Sequence, residues 1–172
     1  MNIARAIQFF KAIPDALKYK SILYIGASKR RAEMLSYFIK NNFQITIIEA
    51  WTENIYFLKR NYPRIGIIQA DIRNVAKIPL GYFDIIMWWH GPEHVEKEAL
   101  PGIFEVLDNH ARKALVLACP WGRYDQEAVD GNPFERHRSR LYPKFFEKLG
   151  FKTSTIGTKD KRGSNLLAWK KL

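Results

Sequence analysis

The connection between the last two apolar runs of the chain is only Thr158 to Gly163, a Lys-, Asp- and Gly-containing link from Phe151 to Thr158 into Ser164 to Lys170 (SNLLAWK). Both runs have strand composition. A parallel crossover needs a dozen or more residues, so this link makes a hairpin and nothing else. The chain before it has a different rhythm. Ile22 to Ile25, Gln44 to Ala50 (QITIIEA), Ile65 to Asp71 (IGIIQAD), Phe83 to Trp89 (FDIIMWW) and Lys113 to Pro120 (KALVLACP) are short runs rich in β-branched and aliphatic residues, the mark of buried strands. Helical spacing falls between several of them. It is carried by Ala32, Leu35, Phe38 and Ile39, by Ile55 and Leu58 before the stop at Pro63, and by Leu100, Ile103, Phe104 and Leu107. A further short helix, Lys144 to Gly150, ends on its glycine. Alternating strands and helices build a parallel sheet with helices on both faces. The chain is therefore expected to be α/β: seven strands, mostly parallel, with an antiparallel C-terminal strand.

A length of 172 residues suits a single domain, 1–172, that buries a core without metals or disulfides. Ile3, Ala6, Ile7 and Phe10 stand at i, i+3, i+4 and i+7, so residues 1–20 are expected to form a helical cap on the sheet; a membrane surface or a substrate is the other use of such a helix. Cys119 is the one cysteine and sits in an apolar run, which suits a buried small hydrophobe and a reducing compartment. Neither a membrane span nor a cleavable leader is legible, and a cytoplasmic location is expected. The net charge of +11 is uneven: residues 1–64 hold 11 Lys/Arg and four acids, residues 65–135 six and 11, residues 136–172 11 and two. Basic ends favour an anionic partner such as nucleic acid or a phosphorylated or glycan small molecule, or they serve as a solubilising surface.

The turn after the first strand carries the chemistry. In SILYIGASKRR, Gly26 permits a tight strand-to-helix turn, and Ala27 and Ser28 are small enough to let a ligand approach the main chain. Amide groups at the start of the following helix suit a polar or carboxylate-bearing ligand. Glu49 ends the second strand about 20 residues beyond the glycine, the spacing of an acid that holds ribose hydroxyls; capping the next helix is its other use. Trp51 can stack on an adenine, and Asp71 at the third strand's end can accept from an exocyclic amine or remain solvated. After the fourth strand, His90-Gly91-Pro92-Glu93-His94 concentrates titratable and turn residues. His90 and His94, four apart and beside Glu93, have the look of a metal pair, but Pro92 between them opposes a regular helix and no third ligand is apparent, so no metal is assigned. The 20-residue loop Trp121 to Arg140, rich in aromatics and arginine, is long enough to be a lid or a binding loop.

Three places together resemble the small class I S-adenosylmethionine-dependent methyltransferases, over nearly the whole chain from Ser21 to Lys171: the Gly26 turn with Glu49 and Asp71, the stretch FDIIMWWHGPEHV with its Glu93-His94-Val95, and GNPFERHRSRLYPKFFEKLGF. The resemblance implies a Rossmann-like methyltransferase fold with S-adenosyl-L-methionine across the strand ends. By that likeness Gly26, Ala27 and Ser28 face the methionine part, Glu49 the ribose, Ala50 and Trp51 the adenine, and Asp71 with Ile72 its edge. Trp89 and His90 approach the methyl group. The family's acid and three glycines fall here on Tyr24, Gly26, Ser28 and Arg30, and Arg30 is placed to pair with a carboxylate.

The implied activity is methyl transfer to an oxygen, nitrogen or sulfur atom of an unidentified acceptor, with His90 as the base and His94 and His137 as further candidates. A second reading, from the basic ends and the altered glycine motif, is a non-catalytic methyltransferase-like module that binds nucleic acid or another anion. A nicotinamide-dependent oxidoreductase lacks both its G-x-G-x-x-G and a matching C-terminus.

Overall fold

The computed structural model describes residues 9–29 and 32–172. The positions expected to open the cap, Ile3, Ala6 and Ile7, and the Arg30 pairing lie outside them. Among the described residues seven strands form one sheet: β1 (Ser21–Ile25), β2 (Gln44–Glu49), β3 (Gly66–Gln69), β4 (Phe83–Trp89), β5 (Ala111–Pro120), β6 (Lys152–Ile156) and β7 (Asn165–Lys171). Their order is β3-β2-β1-β4-β5-β7-β6. The pairs among β1 to β5 are parallel, while β7 runs antiparallel to both β5 and β6. The short link from β6 is indeed a hairpin, and it inserts β7 between β5 and β6. Its turn uses Gly157 and Gly163, both at positive φ, and the Ser164 hydroxyl accepts from the Thr158 amide at 2.9 Å.

Alternation along the strands sorts the core into two layers. Ile22, Tyr24, Ile85, Met87, Trp89, Ala114 and Val116 face one side, where they meet Met34, Leu35 and Phe38 of α1 (Glu33–Lys40) and Leu58 of α2 (Thr52–Asn61). Phe9, Ala12 and Ile13 join this layer, and the Phe9 and Phe38 rings meet edge-on at 5.5 Å. The described end of the N-terminal segment thus packs on the sheet. Leu23, Ile25, Ile86, Trp88, Leu115, Leu117 and Cys119 face the other side. There α3 (Leu100–His110) contributes Leu100, Ile103, Phe104 and Leu107, and α4 (Pro143–Glu147) contributes Phe146. Burial pushes the Cys119 thiol well above its ordinary pKa, with the Glu93 charge adding to the effect. That thiol is packing. No described helix is long and apolar enough to cross a membrane.

Element ends differ from the sequence reading where side chains take over from backbone pairing. The third strand stops at Gln69 rather than Asp71, because the Asp71 carboxylate accepts from the Arg73 amide at 2.9 Å and starts a 3-10 helix at Ile72–Lys77. The fifth strand starts earlier, at Ala111, in line with Phe83 across a register shift in β4. The short helix α4 closes at Glu147, before the glycine expected to stop it.

Candidate active site

The strand order reverses between β1 and β4, and a pocket opens at the carboxyl ends of the strands there, where open parallel sheets bind ligands. Its floor is Ile25, Gly26, Ile48, Glu49, Ala70 and Trp88, and its rim includes Ala50, Asp71, Ile72, His90, His94 and Arg138. Gly26 has φ +71 and donates its amide to Ile48 O at 2.9 Å. An added Cβ would meet nothing within 4 Å, so the backbone conformation is what calls for glycine.

Glu49 is 5% exposed. It accepts a 2.8 Å hydrogen bond from the Trp51 amide. Burial raises its pKa to about 6, against the opposing hydrogen bonds from Trp51, Asn54 and Ala50 and with help from the Glu135 charge. Its bond to Trp51, the residue that precedes α2, shows that the carboxylate tethers the start of that helix while its side chain lines the pocket.

Asp71 lines the same pocket, yet both of its oxygens are engaged by the Arg73 guanidinium. Burial alone would raise its pKa, but the hydrogen bonds and charge of Arg73 prevail and hold it below the usual range. The sequence expectation gave this carboxylate to an incoming amine; Arg73 already holds it. Ser28 and Trp51 line an adjoining cavity with Lys29, Asn54, Phe57 and Asn132, and the buried Ser28 hydroxyl has no hydrogen-bond partner among the described residues. Ala27 is buried in the core layer of α1. Trp89 is placed there too, since the pleat turns it away and presents Trp88 to the pocket instead.

His90 follows β4 at φ +52 and donates its amide to Ala118 O at 2.8 Å. Its Nδ1 lies 3.4 Å from Oε1 of Glu93, a residue only 2% exposed. The turn beyond is a single 3-10 stretch, Pro92–His94.

The loop from Trp121 to Arg140 forms the outer wall. Asn132, Phe134, Glu135 and Arg138 line the pocket, and the Arg138 and Ser139 amides donate to Glu93 O at 2.8 and 3.1 Å. Of its aromatics only Phe134 reaches the pocket, since Tyr124 packs on the His137 ring at 5.2 Å and Trp121 packs on the core. Its arginines are ion-paired: Arg123 and Arg140 with Asp125, Arg136 with Glu127, and Arg138 with Glu96. The loop also brings His137 and Glu135 to His94. Sequence spacing showed no further ligand for the His90 and His94 pair beside Glu93 because Glu135 and His137 come from a separate connection, after β5; the one available signal was the clustering of Glu135 and His137 within the long loop.

No family model and no curated protein matches the chain by sequence. Solved structures do match its fold. A SAM-dependent methyltransferase from Archaeoglobus fulgidus is similar over 97% of this chain and 92% of its own, at 16% identity and a TM-score of 0.64. The N-methyltransferase NodS from Bradyrhizobium japonicum WM9 is similar over 99% and 97%, at 11% identity and a TM-score of 0.68. DhpI, solved in complex with SAM and HEP, is similar over 94% and 86%, at 14% identity and a TM-score of 0.67. Strand order, the antiparallel β7 and these likenesses agree: the chain has the fold of the class I S-adenosylmethionine-dependent methyltransferases.

Proposed function

We propose that the chain is an S-adenosylmethionine-dependent methyltransferase. The observation that carries this reading is the buried Glu49 carboxylate at the end of β2, in one pocket with the Gly26 turn and with His90 after β4. The residues suit the cofactor. A buried carboxylate accepts hydroxyl donors, Ile48, Ala50 and Ile72 give the pocket apolar lining suited to a ring, and the buried Ser28 hydroxyl in the adjoining cavity lacks a partner that a polar ligand would supply. When bound, S-adenosylmethionine supplies a methyl group already activated on its sulfonium. What remains for the protein is alignment and proton removal.

Glu49 holds and orients a ribose by accepting its hydroxyls. His90, steered by Glu93 through Nδ1, turns its other ring nitrogen toward the acceptor and takes the proton as transfer proceeds. Phe134 and Asn132 shield the reacting groups from water. The acceptor is a nucleophile-bearing molecule that enters beside His90 and Arg138; Arg138 is the loop arginine that lines the pocket, and it is itself paired to Glu96.

The test uses methyl-labelled S-adenosylmethionine against panels of nucleic acids, phosphorylated metabolites, glycans and amines. S-adenosylhomocysteine formation dependent on one acceptor class is expected, with His90→Ala slowing it by about 10² to 10⁴. Turnover that ignores His90 would remove that residue from the mechanism. Retention of labelled nucleic acid without transfer of label would favour a binding module.

A further inference from the structure

We propose that Glu93, His94 and His137 form a site for a divalent transition-metal cation, which fastens the loop 121–140 to the turn after β4. One donor atom from each of the three lies within 4.8 Å of the others. They come from two separate connections that meet only in the fold, and Glu93 is buried while the two histidines are partly covered.

The imidazoles are held as ligands are held. His94 Nδ1 lies 3.2 Å from Arg136 O, and His137 Nδ1 is bonded to Tyr124 O. A carbonyl only accepts, so in each ring Nδ1 carries a proton, and Nε2 is the nitrogen left to offer a lone pair to a metal. An imidazole whose Nδ1–H is fixed by a backbone carbonyl is oriented for metal coordination through the other nitrogen.

His94 Nε2 is shut off from solvent and makes no hydrogen bond among the described residues. It faces Glu93 Oε1 at 3.9 Å and Glu135 Oε2 at 3.8 Å. A ring nitrogen set between two carboxylates in a covered site calls for a positive charge there, supplied by a ring proton or by a bound cation. The separations are too long for hydrogen bonds. They suit donors that share one ion, since bonds of about 2.0 to 2.2 Å place two donors about 3.3 Å apart at a tetrahedral angle and about 4 Å apart in line.

Two imidazole nitrogens and a carboxylate, with Glu135 within reach as a fourth donor, select Zn²⁺ and its first-row neighbours over the all-oxygen preference of Mg²⁺ or Ca²⁺. The backbone is already joined at this seam, where Arg138 N and Ser139 N meet Glu93 O and the Ser139 hydroxyl meets Pro92 O at 3.3 Å. A cation here adds a side-chain clamp to that seam and sets how firmly the loop closes the pocket.

The test needs neither cofactor nor acceptor, so its outcome is separable from that of the methyltransferase reading. Chelator-stripped protein is titrated with Zn²⁺, and separately with Mn²⁺, against a chromophoric competitor. One equivalent of Zn²⁺ per chain is expected, with a higher melting temperature and slower proteolysis within 121–140. His94→Gln and His137→Gln should each weaken binding at least about tenfold, whereas His110→Gln, outside the cluster, should bind as wild type. Histidine ring resonances of the wild type give a readout that needs no variant: those of His94 and His137 should shift on titration and that of His110 should not. Absence of saturable binding overturns the proposal. So does binding that survives the His94→Gln/His137→Gln pair, or shifts confined to other histidines.

Discussion

Gly91 lies so close against the Trp88 indole that a Cβ built on it would fall 1.6 Å from Trp88 Nε1. Trp88 forms part of the pocket floor, and its ring meets Phe104 edge-on at 6.3 Å. The glycine between His90 and Pro92 is therefore what allows the turn after β4 to fold down over that indole.

Gly91→Ala should displace Trp88 and lower stability by about 1 to 3 kcal/mol, the usual cost of forcing atoms into a packed site. Chemical denaturation measures it. Gly26→Ala should also destabilise, but for a different reason, the φ of +71, and by about 1 kcal/mol. Equal stability of Gly91→Ala and wild type would show that the indole has room to move.

Glu49 gives the protein a pH signature. Its carboxyl titrates near 6 when folded and near 4.5 when unfolded. Between those values the folded state keeps a proton that the unfolded state has lost, so this residue's contribution to stability falls as pH rises from about 4.5 to about 6 and is level above that. The difference amounts to about 2 kcal/mol. Glu49→Gln should flatten that part of the stability profile. Ribose hydroxyls donate to the ionised form, so cofactor affinity should rise with pH through about 6 in wild type and not in the Gln variant. Calorimetry across pH 5 to 8 checks both slopes.

The sheet was legible from residue pattern because β-branched runs, helical periodicity and the length of the Thr158 to Gly163 link each restrict topology independently. Glu49 and His90 were legible for the same reason: a parallel strand's end is a fixed place in the fold. Trp88 and Trp89 were not. Both are large, adjacent and apolar, and only the register of β4 against β1 and β5 decides which one faces the pocket. Asp71 looked available because its partner Arg73 belongs to a local turn that begins only where the strand stops. The meeting of His137 with His94 depends on the path of the long loop, which short-range spacing does not encode.

Phe134 tests the wall of the pocket. It is 36% exposed, lies under the Arg73 guanidinium at 5.7 Å and lines the cavity. Phe134→Ala should leave folding nearly unchanged and weaken ligand binding or transfer. In hydrogen exchange, amides of 132–138 in the wild type should slow when cofactor is bound and slow further with acceptor. A variant with full activity, or exchange indifferent to both ligands, would mean that the loop is a fixed wall and not a lid.

The Asp71 and Arg73 pair makes a separate forecast. Asp71→Ala removes a cap from the 3-10 helix Ile72–Lys77 and should cost about 1 kcal/mol of stability while releasing Arg73 toward the pocket. Thermal melts give the first effect. A phosphate-bearing acceptor or inhibitor that binds more tightly to this variant would register the second; unchanged stability would show that the cap contributes nothing.

The most direct test of the account is calorimetric titration of the wild type and Glu49→Ala with S-adenosylmethionine and S-adenosylhomocysteine. Saturable binding of one ligand per chain is predicted, weakened in the variant by about 1 to 3 kcal/mol with the variant still folded. Absence of both heat and thermal shift at millimolar ligand would contradict it, leaving a methyltransferase fold without its cofactor; a variant that unfolds yet binds normally per folded molecule would make Glu49 a helix tether alone.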